Sequence, residues 1–106
     1  MAGKITELDD STFDKFLGTE NVVVDFWAEW CGPCQMMMPI VSEAAKQLKD
    51  KVKFAKVNVD ESPELAQRFQ VMSIPTLIFF KGKEQVDRIV GAVDTEEIIE
   101  AAERAF

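Results

Sequence analysis

Residues Val22 to Cys34 read VVVDFWAEWCGPC and are the most informative segment of this chain for its fold. Its first half is apolar on nearly every residue, which is typical of a central strand covered on both faces. Its second half holds Cys31 and Cys34, the only two cysteines among 106 residues. A cysteine at a strand-to-helix junction lies at the positive end of the helix, which favours the thiolate. Because the thiolate attacks disulfides, the stretch predicts a redox-active dithiol.

The cysteine pair also allows two other interpretations, half of a zinc site or a static disulfide. Zinc takes four ligands in its usual structural sites. The chain has no histidine and no third cysteine, so it cannot complete such a site alone. In a reducing compartment a cysteine pair is more often catalytic or metal-binding than structural. Redox catalysis is therefore the favoured interpretation.

Length and composition indicate one globular domain over residues 1–106. The chain is 47% hydrophobic and 29% charged, so it can bury a core without needing disulfides or metal. No apolar run approaches the roughly 20 residues that span a bilayer. The first seven residues lack the apolar core of a signal peptide. We therefore expect a soluble cytoplasmic protein.

The charge balance argues against nucleic acid as a main partner, as the lack of a long apolar run argues against a membrane. The formal net charge is −7, whereas phosphate binding needs a basic surface. The acid excess is explained by solubility, with weak steering of particular partners as the alternative. The absence of histidine removes the usual general base.

Outside this stretch, hydrophobic spacing predicts alternating strands and helices. The predicted strands are Lys4–Glu7, Val22–Trp27, Lys51–Val59, Thr76–Phe80 and Val86–Val90. The predicted helices carry apolar residues three and four apart, namely Phe13, Phe16 and Leu17; Met37, Val41, Ala44 and Leu48; Leu65, Ala66 and Phe69; and Ile98, Ile99, Ala102 and Phe106. Asp9–Ser11 and Ser62–Glu64 supply helix-start signals, and Thr95 opens the last helix.

The resulting order is β-α-β-α-β-α-β-β-α, which places the chain in the α/β class. The early β-α-β units predict parallel pairing, and the turn at Lys81–Glu84, with its glycine suited to a type II′ turn, predicts an antiparallel hairpin. A mixed central sheet with helices on both faces is the expected architecture.

Three segments together resemble the thioredoxin family. Val24–Cys34 resembles its active-site signature, Ser73–Thr76 its cis-proline loop, and Val90–Ala92 the glycine turn facing that loop. The resemblance covers essentially the whole chain and implies the thioredoxin fold. Two departures are visible: Gln35 stands where many relatives carry a basic residue, and the hairpin turn at Lys81–Glu84 differs from the usual one.

For the reaction, Cys31 is predicted to attack a substrate disulfide and Cys34 to resolve the mixed disulfide. Strand alternation points Asp25 differently from its neighbours, and burial would raise its pKa. The resemblance then implies that Asp25 deprotonates Cys34 through water; the alternative is an exposed strand aspartate. Lys56 matches a family lysine near that aspartate, although strand lysines are usually solvated.

For docking, the two tryptophans are expected to differ. Trp27 is predicted to pack beneath the loop and Trp30 to lie on the docking face. Gly32 and Pro33 are expected to tune the dithiol, and a Gly-Pro insert goes, by resemblance, with reducing family members.

The resemblance further implies that Pro75 is cis and lies against the cysteines, where a substrate strand could hydrogen-bond. An ordinary strand-entry proline is the alternative. Ile74, Gly91 and Ala92 would complete an apolar docking patch, since glycine lets another backbone approach closely. We expect Met36–Met38 to fill the core rather than form a methionine-rich binding surface.

The resemblance implies a monomeric protein-disulfide reductase that needs no bound cofactor. A thioredoxin reductase would re-reduce it, with electrons from NADPH or ferredoxin. A non-catalytic binding module is the alternative from another class, and an oxidase or isomerase is the alternative within the class, distinguished by reduction potential.

Overall fold

The computed structural model describes residues 4–106. Its elements are β1 (Thr6–Leu8), α1 (Phe13–Leu17), β2 (Asn21–Trp27), α2 (Gly32–Gln47), β3 (Lys53–Asn58), α3 (Pro63–Arg68), β4 (Thr76–Lys81), β5 (Glu84–Val90) and α4 (Thr95–Ala105). The predicted order of strands and helices is therefore confirmed. Residues 1–3, which the predicted domain includes, lie outside the described residues. No helix within the described range is long and apolar enough to cross a membrane.

The strands form one mixed sheet in the order β1-β3-β2-β4-β5. Strands β1 and β2 each pair with β3 in parallel, whereas β4 pairs antiparallel with both β2 and β5. Strand β2 lies at the centre, which explains its nearly continuous apolar sequence. The predicted mixed sheet is confirmed.

Helices cover both faces of this sheet. Helices α2 and α4 bury one cluster with the sheet, to which they contribute Met37, Val41, Ala44, Ala45, Ile98, Ala101 and Ala102. Helices α1 and α3 cover the other face, where the cluster includes Phe13, Leu17, Val24, Phe26, Leu65, Ile78 and Phe80. Alternate residues of the central strands therefore belong to different cores.

Three predicted strands begin two residues away from the observed start, and the last of these, β5, begins at Glu84 rather than Val86. Strand β1 begins at Thr6 rather than Lys4 and ends at Leu8. Strand β3 is shorter at both ends than predicted, because the backbone N–H of Lys51 still bonds to the last turn after α2, on Leu48. At its other end the side chain of Asn58 accepts hydrogen bonds from the backbone N–H groups of Asp60 and Glu61, where the chain turns away from the sheet.

The helix starts follow the predicted signals in part. The Asp9 carboxylate accepts from the N–H groups of Ser11 and Thr12 just before α1. Ser62 occupies the cap position of α3, but its side chain makes no capping bond. Asp94, which was not predicted, caps α4 by accepting from Glu97 at 2.9 Å.

Helix α2 runs through Pro39 and buries one side, which includes Cys34 and Met37. The prediction that the three neighbouring methionines fill the core is correct for Met37 only. Met36 is 73% exposed and Met38 is half-buried. Successive residues on a helix point about 100° apart, so three adjacent side chains cannot all face the sheet.

Candidate active site

Cys31 and Cys34 form a disulfide across the first turn of α2, with their Cα atoms 5.2 Å apart. Cys31 occupies the cap position, and its Sγ accepts from the N–H of Cys34 at 3.2 Å. The start of a helix carries unpaired N–H groups and a partial positive charge, both of which stabilise negative charge on sulfur. Cys34 is fully buried, whereas Cys31 borders an open groove.

Asp25 lies in the middle of β2 and is only 1% exposed. Burial raises the pKa of its carboxyl from the usual 3.8 to about 7, and the positive charge of Lys56 partly opposes that rise. Its Oδ1 has no hydrogen-bond partner in the described chain. The alternative of an exposed strand aspartate is therefore wrong.

Lys56 is directly opposite Asp25 in the β2–β3 register. Its Nζ lies 5.0 Å from the centre of the Trp27 ring and 3.8 Å from the Oε1 of Glu7. Lys56 is therefore partly shielded rather than a fully solvated strand lysine. The contact with Glu7 was not predicted, because it requires the register of β1 against β3.

The two tryptophans differ as the sequence predicted. Trp27 is buried against both cysteines, whereas Trp30 is exposed. The indole N–H of Trp30 donates to the Oδ2 of Asp60 at 2.8 Å. Asp60 was missed, although it follows β3, whose carboxyl end lies beside that of the parallel strand β2. Parallel pairing was the available signal.

Gln35, the departure noted after the second cysteine, holds the active-site loop against the helix. Its side-chain amide donates to the carbonyl of Glu29 at 3.0 Å. The residue therefore fixes the loop by a neutral hydrogen bond and places no positive charge beside the disulfide.

The loop before β4 lies against the disulfide. The Ile74–Pro75 peptide bond is cis, and the carbonyl oxygen of Ile74 lies 3.8 Å from the Sγ of Cys31. The carbonyl of Pro75 accepts from the N–H of Gly91 at 2.8 Å. Gly91 has a φ of +98°, and a Cβ added there would meet nothing within 4 Å. The glycine turn and the proline loop therefore meet beside the cysteines, and the approach to Gly91 is open.

An open groove of about 480 Å³ runs beside Cys31. The residues that line it are Trp30, Cys31, Gly32, Pro33, Val59, Val71, Met72, Ser73 and Ile74. Gly91 and Ala92, predicted for the same patch, are not part of this lining. One wall of the groove, which includes Val71 and Met72, was not predicted; Met72 is 91% exposed. Its position just before the proline loop was the signal that could have found it.

Together these features define a class of protein that exchanges dithiols and disulfides. A disulfide closes the first turn of α2, and the Cys31 sulfur borders an apolar groove. The carboxyl of Asp25, whose pKa is raised, is buried in the central sheet. Within residues 4–106, no group of three or more histidine, cysteine, aspartate or glutamate side chains is placed to hold a metal ion.

Comparison with known proteins identifies the family. The thioredoxin family model matches residues 4–104. Thioredoxin 1 of Nostoc sp. is 45% identical over 100 residues, which cover 92% of this chain and 94% of that protein. The crystal structure of Malassezia sympodialis thioredoxin superposes with a TM-score of 0.88 at 36% identity, covering 97% of this chain and 91% of the other.

A third relative is the bifunctional thioredoxin reductase/thioredoxin of Mycobacterium leprae, which is 47% identical over 86% of this chain and 20% of its own length. Other relatives are thioredoxins named as chloroplastic. The chain belongs to the thioredoxin family. Its predicted fold and its predicted thiol–disulfide oxidoreductase activity through Cys31 and Cys34 are confirmed.

Proposed function

We propose that the chain reduces protein disulfides, with Cys31 as the attacking thiol and Cys34 as the resolving thiol. The observation that carries this assignment is the difference in access: Cys31 borders the groove, whereas Cys34 is completely buried. A substrate sulfur can therefore reach Cys31 first. The N–H groups at the start of α2 favour the thiolate that must attack.

In the first step the Cys31 thiolate attacks one sulfur of the substrate disulfide. A mixed disulfide forms, the substrate S–S bond breaks, and the released substrate sulfur takes a proton. In the second step the Cys34 thiolate attacks the Sγ of Cys31 and releases the other substrate sulfur, which is also protonated. The substrate gains two electrons, and the protein ends with its own Cys31–Cys34 disulfide.

The second step requires the buried Cys34 thiol to lose its proton. We assign Asp25 as the acceptor of that proton. Cys34 lies on the same side of α2 as Met37, which packs in the core on the Asp25 face of the sheet. A pKa of about 7 makes Asp25 a usable proton acceptor near neutral pH, either directly or through one water. Lys56, opposite Asp25, moderates that pKa by its positive charge.

For docking we assign Trp30, Gly32, Pro33 and Ile74, which line the groove, to the substrate segment. Pro75, Gly91 and Ala92 extend the patch across the hydrogen bond between the Pro75 carbonyl and Gly91. An extended substrate segment can add its backbone beside this loop, as in strand addition.

For partners and location, we propose a monomer that works in the cytoplasm and is re-reduced by a thioredoxin reductase. The relative that joins both activities in one chain supports the reductase. The proposed source of electrons is NADPH or ferredoxin, and the proposed extent of the domain is residues 1–106. Relatives named as chloroplastic make a chloroplast the competing location.

Insulin reduction with dithiothreitol as electron source tests the proposal. The parent chain should accelerate the reaction strongly, and Cys31→Ser should abolish the acceleration. Cys34→Ser should instead accumulate a mixed disulfide with insulin, because attack is intact and resolution is lost. If folded parent protein gives no acceleration, or if Cys31→Ser retains it, the assigned chemistry is wrong.

The double variant Cys31→Ser/Cys34→Ser distinguishes catalysis from a binding role. A non-catalytic module would keep its affinity for client proteins in this variant. The proposed reductase should lose all turnover while its folded structure, followed by circular dichroism, persists.

A further inference from the structure

Three ionisable side chains fall in one row across the sheet. Glu7 of β1 is directly opposite Lys56 of β3, and Lys56 is directly opposite Asp25 of β2. Residues opposite one another on neighbouring strands project from the same face. The row ends beyond Asp25, where β4 places the apolar residue Leu77. The row of ionisable side chains therefore begins on the edge strand β1 and ends at the buried carboxyl of Asp25.

Burial increases along this row. The side chain of Glu7 is 46% exposed, that of Lys56 is 22% exposed, and Asp25 is 1% exposed. The Lys56 ammonium lies at the boundary between solvent and core, 3.8 Å from Glu7 and over the Trp27 ring. The Lys56 ammonium therefore interacts electrostatically with two carboxylates, the exposed one of Glu7 and the buried one of Asp25.

The other elements packed on this face contribute no competing charge to Asp25. The buried residues of α2 nearest its start are Cys34 and Met37, and the buried residues of α4 are apolar. Lys56 is the one charged group of the described chain that shifts the pKa of Asp25. The position of the Lys56 ammonium therefore controls the electrostatic environment of the buried carboxyl.

We propose that Glu7 is a positioning residue for the redox reaction, whose carboxylate holds the Lys56 ammonium towards the sheet edge and away from Asp25. The proposal rests on the proposed role of Asp25 as proton acceptor. With Glu7 in place, Asp25 keeps a proton affinity suited to accepting the Cys34 proton near neutral pH. Without Glu7, the ammonium turns towards Asp25, pairs with it, and makes it a weaker base.

The test is Glu7→Gln in the full chain, which keeps shape and removes charge. NMR titration of the Asp25 carboxyl carbon should show the midpoint falling by about one pH unit, the scale expected when a cation moves a few ångströms closer. The lower limb of the pH profile for insulin reduction should move in the same direction. Glu7→Asp, which keeps the charge, should restore part of both shifts.

The matched control is Glu64→Gln on α3, which removes the same charge from the other side of the sheet. It should leave the Asp25 midpoint in place. An equal fall in both variants would mean that net charge alone moves the titration, and the proposal would be overturned. An unchanged midpoint in Glu7→Gln would overturn it as well.

A double-mutant cycle shows whether Glu7 acts through Lys56. In a Lys56→Met background, Glu7→Gln should shift the Asp25 midpoint by less than half of its effect in the parent. A shift of full size there would show a direct action of the Glu7 charge and would refute positioning.

Asp25→Asn separates this inference from the function on which it rests. If Asp25→Asn leaves the pH profile of insulin reduction unchanged, Asp25 is not the proton acceptor. The NMR midpoint of Asp25, compared between the parent and Glu7→Gln, still reports whether Glu7 positions Lys56. Failure of the proposed proton acceptor and failure of the proposed positioning are therefore distinguishable.

Discussion

The two faces of the central sheet share the same strands but bury different chemistry. Under α1 and α3 the core is apolar and rich in phenylalanine, with the Phe13, Phe69 and Phe80 rings in mutual contact. Under α2 and α4 the apolar core is interrupted by Asp25. One face therefore supplies stability alone, whereas the other loses some stability near neutral pH by burying the carboxyl that we propose as the proton acceptor.

The largest expected effect comes from truncating neighbouring residues of β4 that face opposite cores. Leu77 lies opposite Asp25, and Ile78 lies opposite Val24; both are fully buried. Leu77→Ala and Ile78→Ala should each lower the free energy of unfolding by about 2–5 kcal/mol, measured in urea. Only Leu77→Ala opens a cavity beside Asp25, so only this variant should lower the pKa of Asp25. Equal effects on that pKa would contradict the division into two faces.

The next effect is a gain in stability from Asp25→Asn. Well below the usual pKa of 3.8, Asp25 is protonated in both folded and unfolded chains, so its ionisation costs nothing. As pH rises towards 7, the unfolded chain loses this proton first, because the folded pKa of Asp25 is raised from 3.8 to about 7. Stability therefore falls across that window.

Asparagine cannot ionise and avoids this cost. We expect Asp25→Asn to be more stable than the parent by about 4 kcal/mol at about pH 8, and to lose most of that advantage at about pH 4. Urea unfolding at both pH values provides the measurement. A constant difference across the range would show that burial of the charge is not its origin.

The smallest expected effect concerns Asp14 of α1, on the other side of the sheet. Its pKa shift has the opposite direction to that of Asp25. Arg68 donates two hydrogen bonds to the Asp14 carboxylate, at 2.9 and 3.0 Å, and these lower the pKa of Asp14. The stabilisation is therefore complete above the unfolded pKa and disappears as the pH falls through the folded value.

Both partners are about half exposed, so solvent screens this pair. Asp14→Asn should cost less than about 1 kcal/mol near neutral pH and less still in high salt. Urea unfolding at low and high ionic strength measures this. A loss that is insensitive to salt would indicate a packing effect of Asp14.

The sequence predicts this fold well because its signals are local. The apolar run in β2 and the helical spacing after Cys34 each lie within one element, and the two cysteines are separated by only two residues. Strand alternation shows that Asp25 points away from the side of Val24, but not how deeply it is buried, because burial depends on the helices that cover that face.

The remainder of the site depends on contacts between distant segments. The hydrogen bond from Trp30 to Asp60 and the contact between Glu7 and Lys56 both require strand pairing and register. The groove wall at Met72 requires the path of the loop before Pro75. Parallel pairing and proximity to the proline loop are partial signals for Asp60 and Met72, but the local sequence does not determine the contacts themselves.

The central position of β2 also limits how this sequence can change. Asp25 and its neighbours Val24 and Phe26 lie in different cores, and side chains along a strand alternate strictly. Insertion or deletion of a single residue within β2 would exchange the two sets, placing the carboxyl among the phenylalanine rings. A change of two residues would keep each side chain facing its own core but would move Asp25 out of register with Lys56 and Leu77. The length of β2 is therefore as constrained as its alternation.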